Sequence, residues 1–305
     1  MFKKILKLFN KKERFEFFRR QGFYNCMSDK KYLKKAFEVR TGKKLNLNNP
    51  ITFNEKLQWL KLYDRKVEYS KLVDKYEVKD VISEKIGQKY VIPTIGVWDK
   101  AEDIDFDLLP KKFVLKTTHN SKGLVICRDK EKLDFENIKK EFSKVLRKNY
   151  FYHLREWPYK NVKPRILAEE LMENDCQEND TNLNVYKFFC FGGKPKIIQT
   201  IQNDKTPDET IDYFDTNWNL LDLRQNFPNS ENPLPMPQTL DEMLTLAGKL
   251  TEGYPFLRAD FYEVNGRVYF SELTFYSDAG LASFDPEEWD YKLGELIQLP
   301  EKYNN

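Results

Sequence analysis

The stretch FLRADFYEVNGRVYFSELTFYSDAG, residues 256–280, decides how this chain is read. FLRADFYEV and RVYFSELTF are rich in aromatic and β-branched residues, and Asn265-Gly266 between them is a tight-turn dipeptide, so the segment is predicted as a β-hairpin. Arg258 and Asp260 alternate with Leu257, Ala259 and Phe261, which places the two charges on one face and the apolar residues on the other. On the return strand Glu272 and Thr274 alternate with Leu273 and Phe275. A two-residue turn would set Asp260 opposite Ser271 and leave Asp260 and Glu272 on opposite faces. A three-residue turn with a left-handed glycine is expected instead, because it restores the parity. Two acids in an apolar hairpin are costly unless solvated, paired or bound to a cation. The residues alone leave two readings open. One is an Arg258–Glu272 cross-strand ion pair on a solvated face. The other is a magnesium site, two carboxylates completed by substrate phosphates, which requires a phosphate site elsewhere in the chain.

Bulk properties narrow the class. At 305 residues the chain can form one large or two ordinary domains with ample core. Its 23 Phe and 17 Tyr against 12 Gly exclude a low-complexity or disordered chain, although 32% of residues are charged. A net charge of +3 gives no argument for nucleic acid, and none is expected as a partner. Cys26, Cys127, Cys176 and Cys190 are scattered without CxxC spacing, which argues for reduced thiols and against a zinc site. With His119 and His153 as its only histidines, a multi-histidine metal centre is excluded. There is no apolar run near the roughly 20 residues of a membrane span, nor a signal peptide. A soluble, cytoplasmic protein is expected. Residues 1–20 qualify that: Phe2, Ile5, Leu6 and Phe9 fall on one helical face among Lys3, Lys4, Lys7, Lys11 and Lys12. Such a helix can lie on an anionic membrane surface, here the inner face, or pack on its own domain with its lysines in water.

Along the chain, residues 29–40 predict a helix closed by Gly42. Thr52 and Glu55 form a capping box ahead of a helix carrying Leu57, Trp59, Leu60 and Leu62. LVDKYEVKDVISEKIG is expected as one further helix, and YVIPTIGVW as a strand bent at its proline. FVLK and LVIC read as strands joined by TTHNSKG. Lys116 ends the first of them, and a lysine followed by a hydroxyl-, amide- and glycine-containing turn suits a polyphosphate, although GxxxxGK[ST] is absent. An edge-strand lysine reaching water fits the same residues. After a charged helix over 131–150, RILAEELMEND gives a strand whose exposed edge can bond an adenine while an acid beyond it reaches a ribose; a solvated charge run is the plainer reading of Glu169, Glu170 and Glu173. VYKFFCFGGKPKIIQTIQ is a hairpin turning at Gly192-Gly193, with Lys187 among apolar residues. Residues 203–237 are expected to be loop, and LDEMLTLAGKLTEGY a helix.

The order of these features carries more than any one of them. A strand lysine, a polar loop, an acid-ended strand, then Arg-x-Asp and a second acid on a late hairpin resembles the ATP-grasp layout. More closely, the chain resembles the TupA-like ATP-grasp family of bacterial surface-polysaccharide gene clusters. The matching phrases are NPITFNEKLQWLKLYDR, VDKYEVKDVI, FVLKTTHNSKG, ILAEEL, YKFFCFGGKPK and RADFYEVNGRVYFSELTFYSDAG, spread over roughly residues 29–285. The resemblance implies an α+β ATP-grasp fold in which two α+β subdomains grip ATP after a helical N-terminal part. The expected division is a basic helical segment (1–45), a helical region (46–110), a central subdomain with Lys116 and a mobile loop (111–172), and a C-terminal subdomain with the magnesium site (173–305).

The same resemblance implies roles. ATP and Mg²⁺ are the expected cofactors. Lys116 is similar to the lysine on the α- and β-phosphates, with Ser121 in the loop beside it, and Lys75 or Lys79 to a basic residue of the preceding region. Glu169, Glu170 and Leu171 match the adenine hinge, and Glu173 the ribose partner. Asp260, Glu272 and Thr274 match the metal strand, Arg258 the arginine that neutralises the transferring phosphate, and Lys187 a γ-phosphate or acyl-phosphate contact; His119 of the loop is grouped with these catalytic residues. Two departures stand out: Thr274 occupies a position often held by Asn, and His119-Asn120-Ser121-Lys122-Gly123 replaces His-Gly-Ser-Gly. The implied function is an ATP-dependent carboxylate–amine ligase that activates a uronic acid of a glycan precursor as an acyl phosphate and joins it to an amino acid or other amine. The alternatives are a sugar kinase or glycosyltransferase of the same pathway, or a non-catalytic nucleotide-binding subunit of a synthesis complex. Against the kinase, no HxD followed by Asn precedes Asp260.

Overall fold

Two antiparallel sheets, each with its own apolar layer, divide the main strands of the computed structural model, which describes residues 10–174, 183–204 and 206–302. The chain opens with helices α1 (Lys11–Arg20), α2 (Asp29–Thr41), α3 (Phe53–Tyr63), α4 (Tyr69–Val73) and α5 (Val78–Lys85). Strands β1 (Thr94–Trp98), β2 (Phe113–Thr117) and β3 (Leu124–Cys127), helices α6 (Phe135–Leu146) and α7 (Phe151–Leu154), and strand β4 (Ile166–Glu169) follow. Next come β5 (Val185–Phe191), β6 (Lys194–Gln202), β7 (Thr210–Phe214), β8 (Arg224–Gln225) and α8 (Leu240–Thr251). The chain then runs through β9 (Phe256–Val264), β10 (Arg267–Thr274), β11 (Phe284–Asp285) and α9 (Glu288–Leu296). One sheet has the order β1-β4-β2-β3, the other β10-β9-β5-β6-β7.

Two sequence expectations change here, and a third lies outside the described residues. LVDKYEVKDVISEKIG is not one helix: it breaks at Asp74, whose backbone is extended and whose side chain accepts from the Tyr76 and Glu77 amides. The Lys75 amide then bonds the Thr118 carbonyl, so the break ties this segment to the loop after β2. The proline-rich stretch after residue 203 is not all loop; it contains β7, which completes the larger sheet against β6. The apolar positions Phe2, Ile5, Leu6 and Phe9 lie outside the described residues, and the described helix starts at the Asn10 cap. Among the described residues no helix is long and apolar enough to cross a membrane.

Helix α3 joins the helical part to the larger sheet. It starts from the expected capping box: Thr52 Oγ1 accepts from the Glu55 amide at 3.2 Å, and Glu55 Oε2 from the Thr52 amide at 3.3 Å. Its first ring, Phe53, stands edge-on to Phe256 with centroids 4.9 Å apart. Asp290 of α9 accepts from the Asn54 amide at 2.9 Å. The two helices touch where α9 has no side chain, since a Cβ on Gly294 would lie 2.2 Å from the Ile51 carbonyl oxygen and 2.8 Å from the Phe53 nitrogen. Backbone atoms cannot step aside, so Gly294→Ala is expected to cost about 2–3 kcal/mol by overpacking. A lowered urea midpoint would show this, and an unchanged midpoint would mean that α9 retreats freely.

Candidate active site

The two faces of the larger sheet differ in chemistry. Alternation puts Leu257, Ala259 and Phe261 of β9 with Tyr186, Phe188 and Cys190 of β5 on the face covered by α8, and these residues are buried. The opposite face carries Phe256, Phe189 and Phe191 at one end, packed on Phe53. Further along the same face it turns polar: Lys187 sits opposite Asp260 and Gln199, and Gln199 opposite Tyr213. Gln199 Nε2 bonds the Tyr213 hydroxyl at 2.6 Å, and that hydroxyl donates to Gln225 Oε1 at 2.7 Å.

Register on β10 completes the face by a device other than the expected one. The turn is a two-residue turn: Val264 pairs with Arg267, and Asn265 (φ +51°) and Gly266 (φ +71°) are both left-handed. The three-residue turn is not formed. The shift comes later, where Phe270 pairs with Phe261 and the next pairs are Glu272 with Asp260 and Thr274 with Arg258. Ser271 is thus the extra residue of a β-bulge, and it restores the parity that the turn alone would break. Asp260 and Glu272 share the polar face.

Arg258 binds this group together. Its Nε and Nη2 bond the two carboxylate oxygens of Asp260 at 2.8 and 2.7 Å. Nη2 also reaches Glu272 Oε1 at 3.3 Å and Thr274 Oγ1 at 3.2 Å, and Nη1 reaches Ser277 Oγ at 3.2 Å. Burial opposes its charge, but Asp260, Glu272 and Asp278 more than offset that and hold the guanidinium firmly protonated. Burial pushes Asp260 up despite Arg258 and Lys187 beside it. Burial also works against the Glu272 carboxylate, yet Lys75, Arg258, Lys187 and Lys116 together hold its pKa below the usual range. Four cations from four segments therefore act on one carboxylate. Burial lowers Lys187 and Lys75, with acids around each pulling the other way.

The smaller sheet supplies Lys116 from β2. Glu169, 3% exposed at the end of β4, bridges Lys116 Nζ at 2.5 Å and Lys79 Nζ at 2.6 Å. Lys79 also donates to the Ile92 carbonyl at 2.6 Å, and Lys75 Nζ to the Asn120 carbonyl at 2.9 Å. Burial disfavours the Lys116 charge, and Glu169 overcomes it and raises the pKa.

The other sequence-selected residues lie around this cluster. The expected exposed edge at β4 is absent, because β4 is an interior strand between β1 and β2. The Glu170 amide past its end donates to the Pro93 carbonyl, and Leu171 is half-buried beyond it. Glu173 pairs with Lys112 at 2.6 Å and lies 3.8 Å from Arg128. Ser121 is exposed on the loop after β2. His119, 2% exposed, is turned under that loop toward the C-terminus of α6; Asn120 Nδ2 donates to its Nε2, and burial lowers its pKa. Asn120 organises the loop, accepting from Thr117 Oγ1 and the Lys122 amide. Sequence reasoning assigned nothing to Ser277, Asp278, Gln199 or Tyr213; strand alternation from Lys187 would have pointed to Gln199.

For a magnesium ion the donors would be the Asp260 and Glu272 carboxylates, both bonded here by Arg258, with the Thr274 hydroxyl beside them. Among the described residues no group of three or more His, Cys, Asp or Glu forms a metal cage. Two hard carboxylates on one face are the number Mg²⁺ takes when phosphates and waters complete its shell, so the donor set fits.

Lys116 of the four-stranded sheet acts through space on Glu272 of the five-stranded sheet, in an α+β arrangement of two antiparallel sheets. Residues 55–298 match the family model of TupA-like ATP-grasp proteins, and the chain belongs to that family. Among solved structures it is similar to D-alanine–D-alanine ligase from Bacillus anthracis complexed with ATP, at 17% identity and a TM-score of 0.42, over 74% of this chain and 63% of that one. It is also similar to phosphoribosylamine–glycine ligase from Thermotoga maritima, at 18% identity and a TM-score of 0.38, over 68% of this chain and 48% of that one. A third is the ATP-grasp ligase PsnB complexed with minimal precursor, at 9% identity and a TM-score of 0.37, over 68% of this chain and 54% of that one. The chain thus spans less than two thirds of the length of each of these three. Among curated proteins no sequence match was found.

Glu169 offers a direct stability test. Its pKa is below the ordinary 4.5: burial works against the carboxylate, but Lys116 and Lys79 prevail. The stability from this group is present above the unfolded-state pKa and lost as pH falls through the lower folded value. Glu169→Gln leaves two buried lysines short of a counter-charge and is expected to cost about 3–5 kcal/mol at pH 7. The gap to wild type should narrow as pH drops below that ordinary value, read from urea midpoints at pH 7 and pH 3.5. A constant gap would contradict the assignment.

Proposed function

We propose that this chain is an ATP-dependent carboxylate–amine ligase. It activates a sugar carboxylate, a uronic acid of a surface-glycan precursor, and couples it to an amino acid or similar amine. The observation that supports this most is the convergence of Lys75, Lys116, Lys187 and Arg258 on Glu272, beside Asp260. That is cation density for a triphosphate next to a hard-oxygen pair for a divalent metal. The choice of a uronic acid comes from the polysaccharide setting of the family.

The chemistry follows from charge. A carboxylate oxygen of the substrate attacks the γ-phosphorus, the bond to ADP breaks, and ADP leaves with the electron pair. The ammonium gives one proton to solvent, the freed nitrogen attacks the acyl carbon, phosphate leaves with the C–O electrons, and the nitrogen's second proton passes to the departing phosphate. Lys116 and Lys75 balance phosphate charge from the smaller-sheet side, and Arg258 and Lys187 from the larger. Magnesium held by Asp260 and Glu272 would supply further neutralisation of phosphate oxygens. A direct transfer is consistent with the side chains present. Cys190 lies on the opposite face with its thiol pushed up to about 12 by burial, and His119 is buried away from the acids.

Asp260→Asn and Glu272→Gln are each expected to lower ATP turnover by at least about 100-fold, with circular dichroism unchanged. Full activity in either removes the metal assignment. The reaction itself is tested by mass spectrometry of products from ATP, Mg²⁺, a panel of uronic-acid precursors and mixed amino acids. An amide with ADP and phosphate is expected. A phosphorylated sugar would make the chain a kinase, consumption of a nucleotide sugar a glycosyltransferase, and ATP binding without turnover a non-catalytic subunit.

A further inference from the structure

We propose that Asp278 is the docking point for the positively charged amine consumed in the second half-reaction, a role that rests on the ligase reading above. After β10 the chain passes through Ser277–Gly280, where Asp278 (φ +47°), Ala279 (φ +55°) and Gly280 (φ +62°) are all left-handed. Only glycine adopts this region freely, and residues held in sparsely populated regions persist where the surroundings over-determine them, often at functional sites.

The surroundings here are side chains of α3. Gln58 Nε2 donates to the Ala279 carbonyl at 2.9 Å and the Gly280 carbonyl at 2.7 Å. Lys61 Nζ donates to the same Ala279 carbonyl at 2.7 Å and to the Leu154 carbonyl at 3.0 Å. Both side chains are fully buried. A Cβ at residue 280 would lie 2.6 Å from Gln58 Nε2 and 2.8 Å from Leu57 Cβ, so the turn fits against α3 only with glycine there. Burying a lysine to hold a four-residue turn is costly, and the fold accepts that cost here.

The clamp presents one group. Ser277, Ala279 and Gly280 are buried, and Asp278 between them is exposed. Ser277 touches Arg258, and the Asp278 carboxylate favours the charged forms of Arg258 and Lys187 through space. Among the described residues no cation pairs with Asp278 directly. An extra open carboxylate at this point repels both ATP and a carboxylate substrate. Among the three substrates it attracts the ammonium alone, and it stands beside the arginine that faces the transferring phosphate in the ligase reading; an Asp278 contact to the metal instead would lower both products of the test below equally.

The test compares two nucleophiles on wild type and Asp278→Asn, with ATP, Mg²⁺ and the uronic-acid panel. Hydroxylamine is uncharged near neutral pH and captures an acyl phosphate as a hydroxamate; a mixture of the common amino acids requires the ammonium site. Amide formation is expected to fall about 10- to 100-fold more than hydroxamate formation, the size of one lost charged hydrogen bond. Equal effects on both products, or none on either, would overturn the role of Asp278 and leave the ligase reading standing. Wild type that makes neither product from any carboxylate would overturn the ligase reading and this role with it.

Discussion

Arg258 is the interaction on which the polar face depends. It bonds both oxygens of Asp260 and extends to Glu272, Thr274 and Ser277, so one guanidinium ties β9 to β10 and to the turn beyond. A buried carboxylate without such a partner would gain a proton instead of keeping its charge. The pairing is bidentate, which a lysine could not supply. Phe189, with its ring centroid 6.0 Å from the guanidinium carbon, marks where the face changes from apolar packing to charge. One strand thus anchors the sheet on α3 through Phe256 and carries the acids through Asp260.

The charges are also arranged in depth. Glu169 sits between Lys116 and Lys79 on the smaller sheet, and Glu272 among four cations on the cleft side of the larger. Each acid keeps lysines ionised that burial alone would discharge, and each lysine keeps an acid ionised in return. This reciprocity explains why a cleft rich in lysine need not be open to water to stay charged. An ion pair does not by itself set the direction: against burial Glu169 raises Lys116, whereas burial prevails and lowers Lys79, which pairs with the same carboxylate, as it lowers Lys75 and Lys187.

Much of this was legible in the sequence. The Asn-Gly turn, the alternation of Arg258 and Asp260 with apolar residues, the capping box at Thr52 and the Gly192-Gly193 hairpin are local signals, and local chemistry decides them. What was not legible depends on distant partners. Nothing in VYFSELTF marks Ser271 as a bulge; the bulge is favoured because it brings Glu272 onto the face of Arg258. The break at Asp74 likewise needs the Thr118 carbonyl, which lies in another segment. Strand β7 hid among prolines because its pairing with β6, not its composition, makes it a strand. For the site, residue types were readable and burial was not: His119 and Lys116 stand in one short motif, yet one is turned under the loop and the other faces the cleft.

The helical part then has a function in the site as well as in the core. Helix α3 contributes Phe53 to the larger sheet at its start and Gln58 and Lys61 to the left-handed turn further along. Between them it fixes both ends of one path, from the strand that bears Asp260 to the turn after Glu272. Lys61 faces a second constraint in Glu156: burial raises that carboxyl to about 7, and burial lowers the lysine to about 8. Lys61 thus bonds the turn through its ammonium and offsets the buried Glu156 charge, while Gln58 adds two further bonds to the same turn.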